Sequence, residues 1–176
     1  MGAPIAQAWR VEKAKMFNSK NSDFAPALTG SSFDQIYFTS MRTVQKKRKL
    51  NRITGQGNSS IFVSHIDGKG EWTKPERMEE PISSAYDDGT PNMSSDGKTM
   101  FFTRCPYVNT QANTAQVFEV ERSGGRWGEP VRIIPGGDST MVAHPAISPD
   151  GNTLYFVSDR AGGFGGKDIY KSDFVA

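Results

Sequence analysis

The fold is decided by His144-Pro145-Ala146-Ile147-Ser148-Pro149-Asp150-Gly151-Asn152-Thr153-Leu154-Tyr155-Phe156-Val157-Ser158-Asp159-Arg160. A proline step opens this stretch, a turn follows, and an apolar run closes it. Pro149 presets φ for the turn, Asp150 can hydrogen-bond its own backbone, and Gly151 supplies a positive φ. Leu154 to Val157 then read as a strand of aromatic and β-branched side chains.

The same order recurs upstream. Gly89-Thr90-Pro91-Asn92 leads to Ser94-Ser95-Asp96-Gly97-Lys98-Thr99-Met100-Phe101-Phe102-Thr103. Phe24-Ala25-Pro26-Ala27 leads to Gly30-Ser31-Ser32-Phe33-Asp34-Gln35-Ile36-Tyr37-Phe38-Thr39, which is degenerate at the turn but keeps the strand. A further strand follows each copy, at 60–64, 116–120 and 168–172. A tryptophan landmark, Trp9, Trp72 and Trp127, completes the unit. The prolines are 65 and 54 residues apart and the tryptophans 63 and 55. Two landmarks that drift together mark loop insertions into one repeating unit. A spacing near 55 residues exceeds the about 40–45 of a WD40 blade and leaves room for four strands and long loops. Asp67-Gly68-Lys69-Gly70 and Ser123-Gly124-Gly125 read as hairpin turns between the third and fourth strands. Helical periodicity of any length is absent.

The sequence therefore predicts an all-β chain, a single β-propeller segment over residues 1–176 with four-stranded antiparallel blades. The repeats fall near 9–64, 72–120 and 127–174, giving three blades. The chain opens on a stretch read as a lone fourth strand, Trp9 to Phe17, and ends after a third strand, so the frame is shifted by one strand. Three blades fall short of the about 4–8 that close a ring, which leaves unpaired backbone and apolar faces at both flanks. Three arrangements stay open: a piece of a larger propeller, a homo-oligomer that completes the ring with the shifted strands exchanged, or a partner chain that supplies the missing blades.

The quoted stretch, followed by Gly162-Gly163-Phe164-Gly165-Gly166-Lys167-Asp168-Ile169-Tyr170, resembles the PD40 (WD40-like, TolB-type) propeller repeat. The Gly-Gly-Phe-Gly-Gly-Lys-Asp-Ile-Tyr ending, together with Asp88-Gly89-Thr90-Pro91 and Phe102-Thr103-Arg104-Cys105, is most similar to the propeller region of Bacteroidetes OmpA-family envelope proteins, type IX secretion components among them. The likeness is strong in the third repeat, good in the second and weak in the first. It implies a periplasmic, outer-membrane-associated parent protein whose propeller is a non-catalytic scaffold for protein partners of the cell envelope. Peptidoglycan contact would then belong to a domain absent from these residues. TolB-like blades also accompany prolyl-oligopeptidase-type hydrolases, and binding of a carbohydrate (peptidoglycan fragment) is a third alternative.

The residues are consistent with a non-enzyme. His-Glu-x-x-His, Gly-x-Ser-x-Gly and Cys-x-x-Cys are absent, and Gly166-Lys167 is followed by Asp168 rather than by the Ser or Thr of a phosphate loop. No cofactor is expected. Two histidines and one cysteine make a His/Cys metal site a poor expectation, and the Asp87-Asp88 pair alone is weak evidence for calcium. His144 reads as a packing or hydrogen-bonding histidine at a blade edge. Cys105, the only cysteine, can form no intramolecular disulfide. No apolar run approaches the roughly 18 residues of a membrane span, and no signal peptide is visible at the N-terminus. The strand aromatics read as inter-blade core rather than as a ligand-stacking platform.

Two groups of cations are candidates for partner binding. Arg42, Arg104 and Arg160 each follow a second strand. They either ring one mouth of the propeller and grip a carboxylate-bearing partner, or pair with Asp23, Asp88 or Asp159 and pin adjacent blades. Recurrence in every blade favours the second use. Lys46, Lys47, Arg48 and Lys49, with Arg52 nearby, form a compact cluster without an acidic residue. The formal charge of +2 depends on them, since the rest of the chain is net acidic. The cluster either attracts an anionic partner or membrane surface, or is a solvated loop held open by its own charge. Nucleic acid is not an expected partner, because that needs basic residues spread over a face and interleaved with exposed aromatics.

Overall fold

The computed structural model describes residues 10–29, 33–42, 58–108, 111–112, 114–133 and 140–175. Among them there is no helix, and so none long and apolar enough to cross a membrane. The strands group into three antiparallel blades. The first holds β1 (Asp23–Thr29), β2 (Gln35–Ser40), β3 (Ser60–His65) and β4 (Glu76–Arg77), hydrogen-bonded in that order. The second begins with β5 (Asp87–Met93) and β6 (Thr99–Cys105). A small hairpin, β7 (Tyr107–Val108) with β8 (Gln111–Ala112), stands apart before the blade resumes with β9 (Gln116–Ser123). Its fourth strand is broken into β10 (Arg126–Trp127) and β11 (Val131–Arg132), both paired to β9. The third has β12 (Val142–Ile147), β13 (Thr153–Ser158) and β14 (Asp168–Asp173). The all-β, partial-propeller architecture expected from the repeats is the one observed.

The proline step proves to be a bulge that fits one blade to the next. In each first strand the register slips across it, between Phe24 and Ala27, Gly89 and Asn92, and Ala143 and Ala146. The residue before each proline, Ala25, Thr90 or His144, has φ near +50° (52°, 48° and 55°). That geometry re-aims its N–H out of its own sheet. The Thr90 N–H donates to Thr39 Oγ1 at 2.7 Å and the His144 N–H to Thr103 Oγ1 at 3.0 Å, each in the second strand of the preceding blade. A second bond repeats beside it: the Asp88 N–H reaches the Ser59 carbonyl at 3.2 Å and the Val142 N–H the Ala115 carbonyl at 2.8 Å. At the first joint the space is so tight that a Cβ on Gly89 would lie 2.7 Å from Thr39 Cγ2. His144 therefore acts through its backbone. Its side chain is exposed, so of the packing or hydrogen-bonding role expected at this blade edge the fold uses a hydrogen bond, made by the backbone.

Alternation along the strands fills the joints. Tyr37, Ile61, Met78, Ile82, Met100, Phe102 and Val120 form one core between the first two blades. Phe101, Val117, Val142, Leu154 and Phe156 form the other, between the second and third. Phe101 and Phe102 thus face opposite neighbours, as a period of two requires.

The stretch after the first tryptophan landmark differs from expectation. Trp127 ends β10 and Trp72 makes an isolated bridge with Ile66, while Trp9 lies outside the described residues. Residues 10–17 form no strand. They are exposed as far as Met16 and end in a turn at Lys15 to Phe17. A strand needs a neighbour, and no strand among the described residues pairs with residues 10–17. Phe17 is instead held in the first blade, 6.0 Å from the Phe38 ring and 5.2 Å from Trp72.

Candidate functional site

Arg42 and Arg160 stand two residues beyond the second strands of their blades, as expected, whereas Arg104 lies inside β6, opposite Gln116 and at the register position of Ser40 and Ser158. The guanidinium of Arg42 lies over Phe38 and Phe62, 5.3 and 4.8 Å from the ring centroids. Arg104 covers Phe102 and Phe118 at 5.2 and 5.1 Å, and Arg160 covers Phe156 and Tyr170 at 5.0 and 5.2 Å. The rings belong to directly paired residues of the second and third strands, and they stack on each other at interplanar angles of 28°, 26° and 20°. A cation on a desolvated aromatic face gains on the order of 2 kcal/mol, so each stack seals the end of its own blade.

In two blades the same cation is also paired. Arg42 reaches Asp23 at 2.8 Å and Arg104 reaches Asp88 at 2.5 Å. Each also donates to the loop that precedes the first strand, Arg42 to the Phe17 carbonyl and Arg104 to those of Pro81 and Ile82. Ser19 and Ser84, four residues before the aspartates, donate from N–H and hydroxyl to the same carboxylates. Burial would raise the Asp23 carboxyl, but bonds from Ser40, Arg42 and Ser19 overbalance it and hold the group below its usual range. Asp88, with a fully buried side chain, goes the other way: burial pushes it up against the pull of Arg104 and Ser84.

The third blade breaks the pattern. Val142 occupies the place of Asp23 and Asp88, opposite Ser158 as Asp23 is opposite Ser40. Asp159 does not replace the missing carboxylate, since it accepts the Met141 N–H at 2.7 Å. Arg160 keeps a bond from Nε to Ser158 Oγ at 3.2 Å, while its buried Nη2 has no hydrogen-bond partner. The arginines of the first two blades are thus spent inside the blades, with side chains only 19% and 13% exposed. Lys46, Lys47, Arg48 and Lys49 lie outside the described residues.

The connections between second and third strands follow the arginines in sequence, and that of the third blade is described throughout. In the third blade this loop carries Phe164, fully exposed, on a run of glycines. Asp168 anchors it: the Gly165 N–H donates to its carboxylate at 3.1 Å, and a Cβ on Gly163 would come within 2.0 Å of the same oxygen. Sequence reasoning recognised the glycine run and missed the exposed ring at its tip. Cys105 sits at the base of the second loop, half-buried, with its thiol pushed up to about 11 by burial and by Asp87 and Asp88. At neutral pH it is a thiol and a poor nucleophile. No group of three or more His, Cys, Asp or Glu side chains gathers among the described residues in a way that would hold a metal.

A groove lies elsewhere, between the second and third blades. It encloses about 630 Å³ among Phe101, Glu119, Ile133, Ile147, Leu154 and Phe174.

No family model and no curated protein matches this chain. Among solved structures it is similar to the crystal structure of TolB from Acinetobacter baumannii, with a TM-score of 0.56 and 23% identity, over 90% of this chain and 31% of that one. A structure described as TolB from Agrobacterium tumefaciens gives a TM-score of 0.40 and 17% identity, over 90% of this chain and 60% of that one. The chain thus spans less than a third of the first neighbour. The first likeness establishes the fold as that of a TolB-type propeller.

Proposed function

We propose that the chain is a non-catalytic, protein-binding scaffold segment of a bacterial cell-envelope propeller, whose parent protein lies in the periplasm in association with the outer membrane. One observation carries this reading: arginine–aromatic stacks fix the ends of the second and third strands in all three blades, between which the sequence places three connections of dissimilar composition. The loops span 41–59, with its basic cluster, 106–115, and 159–167, with Phe164. Recognition groups concentrate on loops held by a rigid frame. An exposed aromatic anchor and a basic patch are the kinds of group that give a protein interface its affinity and its association rate. The TolB-type fold supports the envelope setting, and any peptidoglycan contact belongs to a domain outside these residues.

A photo-crosslinker at Ala161 tests the reading in envelope extracts. Phe164→Ser, or reversal of Lys46, Lys47, Arg48 and Lys49 to Glu, is expected to lower capture of the partner at least ~10-fold. Lys69→Glu, in the β3–β4 turn at the opposite end, leaves it unchanged. Equal capture by all three variants overturns the proposal. A tryptophan fluorescence response to muropeptides that matches wild-type capture would move the function to carbohydrate binding.

A further inference from the structure

We infer that Ser158 and Arg160 of the third blade form a receiving site for a carboxylate of another protein, an acidic side chain of a partner segment, at the place that Asp23 holds in the first blade. The inference rests on the protein-binding reading above and names the group through which a partner is held. The first and third blades are the pair to compare, because Arg42 and Arg160 both stand two residues beyond their second strands. Around them the local geometry repeats. The backbone N–H and Nε of Arg42 donate to Ser40 Oγ at 3.2 and 2.7 Å, and those of Arg160 to Ser158 Oγ at 3.3 and 3.2 Å. Each guanidinium covers two rings, and both serines are fully buried.

The acceptor is where the two blades part. In the first, a single oxygen, Asp23 Oδ1, takes the Ser40 hydroxyl at 2.6 Å and Arg42 Nη2 at 2.8 Å. In the third, Val142 stands opposite Ser158, and its methyl groups accept nothing. Arg160 Nη2 is buried without a partner, and among the described residues no acceptor meets the Ser158 hydroxyl. Two donors thus share one target, the place of a carboxylate oxygen. The nearby acids of the chain are committed elsewhere, Asp159 to the Met141 N–H at 2.7 Å and Asp168 to the Gly165 N–H at 3.1 Å. Burying a charged donor without an acceptor is costly, and a carboxylate is the acceptor that Arg42 and Arg104 both take. Of the two uses open to the arginines, the first two blades take the internal one and the third is left with the other.

The surroundings favour a protein carboxylate over a small anion. Asp159 and residues 161–167 are exposed, so solvent-facing loop, not core, continues from the site. Its two ends are tied to the blade: the Tyr170 hydroxyl donates to the Arg160 carbonyl at 3.2 Å, and Asp168 holds Gly165. Between them the loop carries Phe164, fully exposed, and the cation of Lys167. An acidic residue with an apolar neighbour uses all three groups, the carboxylate on Arg160 and Ser158, the apolar side chain on Phe164, and Lys167 for attraction. A lone ion uses the first alone. The planar guanidinium also matches a carboxylate better than a spherical ion.

The arginine Nε–Hε resonances of the full chain, followed by NMR at neutral pH, provide the test, with sodium acetate as the probe and sodium chloride at equal ionic strength as the control. Acetate is expected to shift the Arg160 resonance saturably and to leave Arg42 and Arg104, which already hold carboxylates, in place. Val142→Asp fills the site from within: its Arg160 resonance is expected near the acetate-bound position and unresponsive to acetate. In the same variant, partner capture by the crosslinker at Ala161 is expected to fall at least ~10-fold. An Arg160 resonance that ignores acetate, or that answers chloride equally, overturns the inference. So does a shift of that resonance in Asp138→Asn without any probe, which would assign the site to a carboxylate of this chain. Unchanged capture by Val142→Asp overturns it as well, while capture that still depends on Phe164 leaves the protein-binding reading standing.

Discussion

Asp23 and Val142 occupy one position in two blades, and they make opposite demands on pH and charge. The fold holds the Asp23 carboxyl below its usual value near 3.8, so the ionised form is the one it favours. Stability from this group is fully present above the unfolded value and is lost as pH falls through the folded one. Urea midpoints measured from pH 7 to pH 3 should therefore show Asp23→Asn starting below wild type at neutral pH and losing less on acidification. Val142 leaves Arg160 without a carboxylate. A buried unpaired charge costs several kcal/mol, yet Val142→Asp would meet the free Nη2 of Arg160. Its urea midpoint should fall by less than the equivalent of ~1.5 kcal/mol, whereas Val117→Asp, equally buried and without an arginine above it, should cost at least ~3 kcal/mol. The recurrence of arginine was legible in the sequence. Its aromatic seat was not, because stacking depends on cross-strand register, which single-strand patterns do not reveal.

At the scale of elements, the bulge before each proline is the feature that turns a sheet into a blade among blades. Thr103→Val leaves the His144 N–H without its acceptor at a tight joint, and the loss should be about 1–3 kcal/mol. Thr103→Ser, which keeps the hydroxyl, should recover most of it; both are read from chemical denaturation. The proline landmark located this bulge without disclosing it, since proline marks a missing donor but not where the preceding N–H will go. Turn chemistry was read correctly where glycine stands: Gly97 and Gly151 have φ of 70° and 74°. In the degenerate first copy Phe33 stands at the place of Gly97 with φ 52°, a strained choice for a side chain. The fourth strands were the least legible elements. Glu76–Arg77, Arg126–Trp127 and Val131–Arg132 are two residues each, too short for any alternation.

For the molecule as a whole, order should decline from the first joint toward the last strand. The core between the first two blades holds seven buried side chains closed over by Trp127, while that between the second and third remains grooved. Stability in stacked repeats is a sum of unit and neighbour terms, so opening is cheapest where the joint between units is least filled. Hydrogen exchange at low protein concentration should find the slowest amides at Ile61, Met100, Phe102 and Val120, and markedly faster ones throughout β14. The blade repeat was readable because each unit restates its landmarks. The asymmetry between the joints arises from single exchanges, Glu119 for Val63 and Ser172 for Val120, whose meaning emerges only once strands are aligned.

The threonine latch has a polarity. Each blade passes its donor backward, to a hydroxyl that precedes it in the chain. A polypeptide made from its N-terminus always exposes the receiving hydroxyl before the matching amide has been synthesised. Successive units can therefore click into place in the order of translation, each one templated by its predecessor, and in the third blade Val157 offers methyl groups where Thr39 and Thr103 offer the receiving hydroxyl.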